Sequence, residues 1–382
     1  MIKYSLTQPT KSLYIHWPFC ANKCHYCDFI SFEQHENFYD TYHKALCCEI
    51  ETFAKEFSED TSREIETIFL GGGTPSLYPE NLLAQLFSIL HKNFTIRKNA
   101  EITIEANPAD ITEKKLAHWK SLGINRLSIG IQILNDDVLL KLNRRQRITD
   151  SIRAIKLAPR FFSNISVDLI LGLPGTTEKC WFDTLKEVIT WPITHLSLYF
   201  LTIHKKTPLF FKLKQKELST WTEDQLIKNY EQSIKFLEKN GLFQYEISNF
   251  SRPKFESTHN RTYWNRLPYK GFGIAASSFD GSTRFNNEKN LTKYLLAISS
   301  TAKSTLTSSE TLTTEQVVME TLMLGLRQRK GLNLHAMLYS LKHEHIETLK
   351  TLGLMEEYEG MTRLTVKGMI LENEVILKLL QQ

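Results

Sequence analysis

No stretch of this sequence approaches the roughly 18 uninterrupted apolar residues that a membrane helix requires, so nothing in it reads as a spanning segment. The opening "MIKYSLTQPTK" lacks the basic-then-apolar order of a secretory signal, and a cytoplasmic protein is expected. Basic residues are not clustered. A net charge of +5 spread over 382 residues leaves no footprint for a nucleic acid, and no such partner is expected. The absence of an internal repeat excludes a solenoid. No G-x-G-x-x-G follows the first strand-like segment, which excludes a dinucleotide-binding sheet. Cysteine is scarce as well: there are six, and three of them crowd into one loop. That distribution is no disulfide framework; it indicates a reducing compartment and metal chemistry.

What the chain does have is alternation. Strand-like runs recur at "SLYIHW", "IETIFL", "EITIEA", "RLSIGI", "ISVDLIL" and "HLSLYFL", separated by amphipathic segments such as "PENLLAQLFSILHKNF". Strand and helix in turn imply βα units, a parallel sheet and right-handed crossovers. The expected fold is α/β, a partial (βα)6 barrel over residues 1–240. Residues 241–298 should form a strand followed by a Gly- and aromatic-rich segment, beginning with "FQYEISNF" as a strand. The Ser/Thr-rich residues 299–314 are the expected linker. Residues 315–382 should form a small helical, winged-helix-like module, with helices at "EQVVMETLMLGLRQ", "LNLHAMLYS" and "HIETLKTLG" and a hairpin turning at Glu359-Gly360.

The cysteine loop, "CANKCHYC", spaces Cys20, Cys24 and Cys27 as C-x3-C-x2-C and then stops, with Phe29 where a fourth cysteine might stand. A closed zinc site wants four ligands. A 4Fe–4S cluster held by three thiolates instead leaves one iron open to a chelating ligand. Zinc with His16, His25 or a distant residue completing the set is the alternative. Cys47, Cys48 and Cys180 fall in helix-like stretches and read as small buried hydrophobes.

Polar residues gather where strands end, at the carboxyl edge that carries function in barrel-like folds. "GGGTPS" follows the second strand, Glu105 ends the third, Gln132 the fourth, Arg144 comes one helix later, and Asp168 lies in "SVDLILGLPG". Each has a plain structural alternative: a turn, a helix cap or an ion-pair partner. Together with the cysteines they suit S-adenosylmethionine. Its amine and carboxylate could occupy the open iron, Arg144 could meet the carboxylate, and the acidic groups could grip the ammonium and ribose hydroxyls.

These residues resemble the radical S-adenosylmethionine superfamily. "YIHWPFC", "YCDF", "IEANP", "LILGLPG" and "YEISNF" resemble its coproporphyrinogen-oxidase-like branch, nearly end to end. Members that oxidatively decarboxylate coproporphyrinogen III carry a further cysteine two places after the third. Phe29 stands there instead, as in the heme chaperone HemW family, and "HNRTYW" resembles the H-N-x-x-Y-W signature of those chaperones. The resemblance implies a 4Fe–4S cluster on Cys20, Cys24 and Cys27. It implies S-adenosylmethionine contacts at Tyr14, Gly72, Gly73, Thr74, Glu105, Gln132, Arg144 and Asp168. It implies a heme site at His259, Tyr263 and Trp264. The function implied is binding heme and handing it to an acceptor protein of the respiratory type, on a radical scaffold without coproporphyrinogen oxidase activity. Peripheral membrane contact and a homodimer are compatible with it. The alternative is the decarboxylating oxidase. Two departures from the family pattern are Gln146, where chaperones often have His, and Ser277, where many relatives have His.

Overall fold

All six strand-like segments become strands: β1 Ser12–Trp17, β2 Glu64–Gly72, β3 Thr95–Ala106, β4 Arg126–Gln132, β5 Asn164–Leu171 and β6 His195–Phe200. The computed structural model describes residues 10–56, 64–299, 305–334 and 341–381. In it β1 to β6 lie side by side in chain order, every neighbouring pair parallel. "FQYEISNF" is not one strand. It turns at Ile247-Ser248 into a hairpin, β7 Phe243–Glu246 and β8 Asn249–Ser251, which adds antiparallel to β6. A strand the sequence did not announce, β9 Lys270–Phe272, adds parallel to the far side of β1. The result is a nine-stranded, partly closed barrel in the order β9-β1-β2-β3-β4-β5-β6-β8-β7.

Successive side chains of a strand point to opposite faces, and here the two faces differ in chemistry. Leu13, Ile15, Ile68, Leu70, Ile102, Ile104, Leu127, Ile129, Val167, Leu169, Leu196 and Leu198 are buried outward against the helical layer. That layer includes Tyr39–Glu56, Glu80–Asn93, Glu113–Ser121, Ile148–Leu157 and Glu178–Val188. Short polar residues start several of these helices. Thr112 accepts a hydrogen bond from the Lys115 N–H, and Thr177 one from the Cys180 N–H. Among the described residues no helix is long and apolar enough to cross a membrane.

The seam between β9 and the barrel rests on one buried carboxylate. Glu49, on the helix Tyr39–Glu56, accepts from the Gly273 N–H (2.9 Å), the Asn287 side-chain amide (2.7 Å) and the Tyr294 hydroxyl (2.7 Å). The Lys270 ammonium of β9 lies 3.7 Å away. Backbone that no neighbouring strand satisfies is thus satisfied by a side chain.

Beyond β9 a three-stranded antiparallel sheet follows: β10 Ser277–Phe279, β11 Thr283–Asn287 and β12 Leu306–Thr311. The expected linker at 299–314 is therefore strand over Leu306–Thr311, and the helix Thr314–Leu326 begins within it. Threonine-rich sequence is compatible with an exposed edge strand, so polarity alone misread it. The C-terminal residues have a core of their own, with Leu322, Leu326, Ile346, Leu349, Met355, Leu364, Val375 and Leu379 buried together. The hairpin at Glu359-Gly360 is present as β13 Met355–Tyr358 and β14 Met361–Leu364. The helix expected at "LNLHAMLYS" falls largely outside the described residues. This module docks on the helix Thr258–Trp264, where the Gln328 side-chain amide donates to the Trp264 carbonyl at 3.2 Å.

Replacing Glu49 with Ala leaves the Gly273 N–H, the Asn287 amide and the Tyr294 hydroxyl without this acceptor in a buried site. A loss of roughly 3–5 kcal/mol is expected, read as a lower denaturant midpoint, with Glu49→Gln milder.

Candidate cofactor and ligand cavity

The inward face of the same strands lines a cavity of about 810 Å³ that opens at the carboxyl ends of the strands. That is toward the upper end of the usual range of about 300–1,000 Å³ for ligand pockets. Tyr14 and His16 line it from β1, Phe69 and Gly72 from β2, and Glu105 from β3. Arg126, Ser128, Gly130 and Gln132 line it from β4, Asp168 and Ile170 from β5, and Ser197 and Tyr199 from β6. The three cysteines cap the opening.

The cysteine loop is held by its backbone. The Phe32 N–H donates to the Pro18 carbonyl (2.7 Å) and the His25 N–H to the Leu142 carbonyl (3.0 Å). The Asn143 side chain donates to the Lys23 carbonyl at 2.9 Å. All three thiols are free, Cys20 buried and Cys24 and Cys27 half-buried. Each has a donor aimed at it. Thr74 and Ser31 hydroxyls reach Cys20, Arg144 Nη1 lies 3.5 Å from the Cys24 sulfur, and a backbone N–H at Phe29 reaches Cys27. Burial holds the Cys20 and Cys27 thiols above their ordinary range. Among the described residues no three His, Cys, Asp or Glu side chains converge as for a single metal ion. Three thiols with hydrogen bonds to sulfur suit a cluster that keeps one iron open.

Behind the loop the predicted binding residues come together. The Tyr14 hydroxyl donates to His16 Nδ1 (3.0 Å), whose Nε2–H donates to the Ile30 carbonyl (2.9 Å). Gly72 has φ +111°, and a Cβ there would sit 2.5 Å from His16 Cε1. A side chain is sterically barred. The glycine loop does not offer its N–H groups to a ligand as "GGGTPS" suggests. The Gly72 N–H points at Glu105 (3.3 Å), that of Gly73 at the Trp17 carbonyl (2.7 Å) and that of Thr74 at the Phe19 carbonyl (2.9 Å). Its glycines serve close approach instead: a Cβ on Gly73 would meet the Phe19 carbonyl oxygen at 2.8 Å.

Gln132 sits at a register shift in β4 with φ +69°, a conformation that turns its side chain across Gly130. Arg144 Nη2 donates to the Gly130 carbonyl at 2.7 Å, while its buried Nε has no partner in the described structure. An orphaned guanidinium donor beside Cys24 fits a carboxylate ligand. Asp168 accepts from the Ser128 hydroxyl (3.0 Å) and from Ser166 and Ser197, and burial raises its pKa. Burial and the nearby Asp168 push Glu105 up to about 8, against which the Gly72 N–H and Arg126 act only in part. Gln146 is buried and structural: its amide donates to the Gly130 carbonyl and accepts from Asn107.

The "HNRTYW" residues do not act as one group. His259 and Tyr263, one helical turn apart, share the face that lines the cavity. Trp264 is the correction. One residue further round the helix, it faces the C-terminal module with Arg327 5.2 Å over its ring, and it does not line the cavity. His259 is 1% exposed, and both ring nitrogens are engaged, Nδ1 with Thr67 and Nε2 with Tyr263, each at 2.8 Å. Burial and Arg126 push its pKa down to about 3, so it is neutral. Sequence reasoning missed Arg126, Ser128, Ser197 and Tyr199. The signal was present: in "RLSIGIQ" and "HLSLYF" polar and apolar residues alternate with period two.

Comparison with known proteins completes the picture. Residues 14–188 match the radical SAM superfamily. The chain is 36% identical over 376 residues to the heme chaperone HemW of Bacillus subtilis, covering 96% of this chain and 98% of that protein. It is 30% identical over 385 residues to that of Lactococcus lactis, covering 98% of each. This chain belongs to the heme chaperone HemW family. Among solved structures, coproporphyrinogen III oxidase from Escherichia coli matches with a TM-score of 0.83 over 98% of this chain and 91% of that one, at 24% identity. That likeness confirms the radical SAM fold, and the family implies the cluster and S-adenosylmethionine that the thiols and Arg144 fit.

At neutral pH Glu105 keeps its proton, because its pKa of about 8 lies above the surrounding pH. A bound N–H donor favours the carboxylate, so binding of S-adenosylmethionine should expel that proton, and affinity should rise with pH up to about 8. Calorimetry in buffers of different ionisation enthalpy checks this. Glu105→Gln is expected to release fewer protons and to flatten the pH dependence below 8.

Proposed function

We propose that this chain is a heme chaperone: it binds heme, carries a 4Fe–4S cluster and S-adenosylmethionine, and transfers heme to a client protein. The observation that carries this role is the 36% identity to a heme chaperone over 98% of that protein's length, which extends well beyond the barrel. Phe29 is consistent with it. It takes the place of the cysteine that the resemblance assigns to the decarboxylating enzymes, and it lies 62% exposed at the cavity mouth. An exposed phenylalanine beside an opening suits a flat apolar macrocycle.

The residues divide the work by depth. Cys20, Cys24 and Cys27 would hold the cluster at the mouth, their sulfurs tuned by Thr74, Ser31, Arg144 and a backbone N–H. Arg144 Nε would take the carboxylate of S-adenosylmethionine. Glu105 and Gln132 would orient its amine and sugar, with Asp168 fixed by three serines behind them. When bound, the reduced cluster and sulfonium supply reductive cleavage of a carbon–sulfur bond. Tyr14, held by His16, and Gly72 shape the wall on which the ligand rests.

Anaerobically reconstituted protein should take up hemin, give a Soret band, and pass the heme to an apo-heme protein. With reductant and S-adenosylmethionine it should leave coproporphyrinogen III unchanged. Porphyrinogen turnover without heme retention would replace the chaperone role with the oxidase.

A further inference from the structure

His259 is poorly placed to meet a macrocycle. It is buried, and each ring nitrogen is already bonded, so ligation through it would break the contact with Tyr263 or Thr67. A second histidine at the same cavity has none of these obstacles. After β6 the chain crosses the mouth as "LTIHKKT", and Leu201, Thr202 and His204 line the opening. The His204 side chain is 41% exposed. Its Nδ1 lies 3.1 Å from a carboxylate oxygen of Asp28, the residue between Cys27 and Phe29. Among the described residues its Nε2 has no partner. A carboxylate on Nδ1–H fixes the tautomer, turns the ring, and leaves the Nε2 lone pair outward, which is how ligating histidines are commonly braced.

The surroundings suit heme. Phe29, 62% exposed, stands beside Asp28 in sequence, and Tyr199, 42% exposed, also lines the cavity. Lys205 and Lys206 follow His204, both exposed, and offer cations for propionate groups. The segment is clipped to the cysteine loop, because the Leu209 N–H donates to the His25 carbonyl at 2.9 Å. The same loop that carries the thiols therefore positions Asp28 and the strand exit that carries His204.

Resting on the heme-chaperone role, we propose that His204 Nε2 is an axial ligand of the heme iron at the cavity mouth, with Asp28 as its positioning residue. The ligation is a simple exchange. The neutral imidazole donates its Nε2 lone pair, the water or other solvent ligand on iron leaves, and the Nδ1 proton stays on the hydrogen bond to Asp28. No electron transfer is involved. Placed there, heme sits at the surface, where a client's own ligands can reach the opposite face, while His259 stays a structural group of the barrel floor.

The test is hemin titration of cluster-loaded protein, read by the Soret band and the low-spin ferric EPR signal, with iron and sulfide content checked for each variant. His204→Ala should move the Soret maximum, lose the low-spin signal, and weaken retention by about tenfold or more, and added imidazole should restore the spectrum. Asp28→Asn should keep the ligand but loosen it by about tenfold. His259→Gln should keep the wild-type Soret. If wild type and His204→Ala bind hemin with the same spectrum, the ligand is elsewhere and the chaperone role stands. If wild type takes up no hemin at all, the chaperone role fails and this assignment fails with it.

Discussion

The structure depends on a sheet whose inner face cannot be dried. Glu105, Asp168, Arg126 and Arg144 all line the interior of the barrel. Burying such groups costs several kcal/mol each unless partners satisfy them. Some partners are internal, such as the serines on Asp168 and the Gly130 carbonyl under Arg144. Among the described residues the Nε atoms of Arg126 and Arg144 are buried without a partner. A fold that retains charged groups with unmet hydrogen bonds on one side of a cavity is built around a polar guest. The apolar outer face, packed against helices, supplies the stability that lets the inner face stay open.

Cluster and ligand sites are not independent parts. The end of the helix Asp136–Lys141 bonds the cysteine loop through the Leu142 carbonyl and the Asn143 side chain, and the next residue is Arg144. Arg144 then touches both Cys24 and the Gly130 carbonyl. On the opposite flank the exit of β6 is tied to the same loop at His25. Ordering the loop would fix Arg144 on one side and the segment leaving β6 on the other. Deeper in, burial keeps His259 neutral and Glu105 protonated beside Arg126.

The six parallel strands were legible because strand and helix periodicities alternate cleanly, and the cysteine trio because its spacing has few other uses. Glu105 and Gln132 were picked out by their position at strand ends, whereas Asp168 lies mid-strand and Arg144 follows a helix, yet all four line the same cavity. Other features were not. β9 is three residues long and pairs Leu13 with Lys270, a contact between distant parts of the chain that no local pattern encodes. "HNRTYW" reads as one cluster along the chain, yet a helix turns about 100° per residue and sends Trp264 away from His259 and Tyr263. The N–H groups of the glycine loop are taken by the Trp17 and Phe19 carbonyls and by Glu105, pairings between distant parts of the chain that "GGGTPS" does not encode. Polar strand interiors such as Arg126 and Ser128 were written in the alternation and overlooked beside louder motifs.

The most direct test of the central claim is EPR of the anaerobically reconstituted, reduced protein before and after S-adenosylmethionine is added. A three-thiolate cluster facing this cavity has one iron free for an amine and carboxylate, so the g-values should shift on addition, and the shift should fade when Arg144 is replaced by Met. Spectra that do not change with S-adenosylmethionine would contradict the account, as would a colourless protein holding zinc and no sulfide.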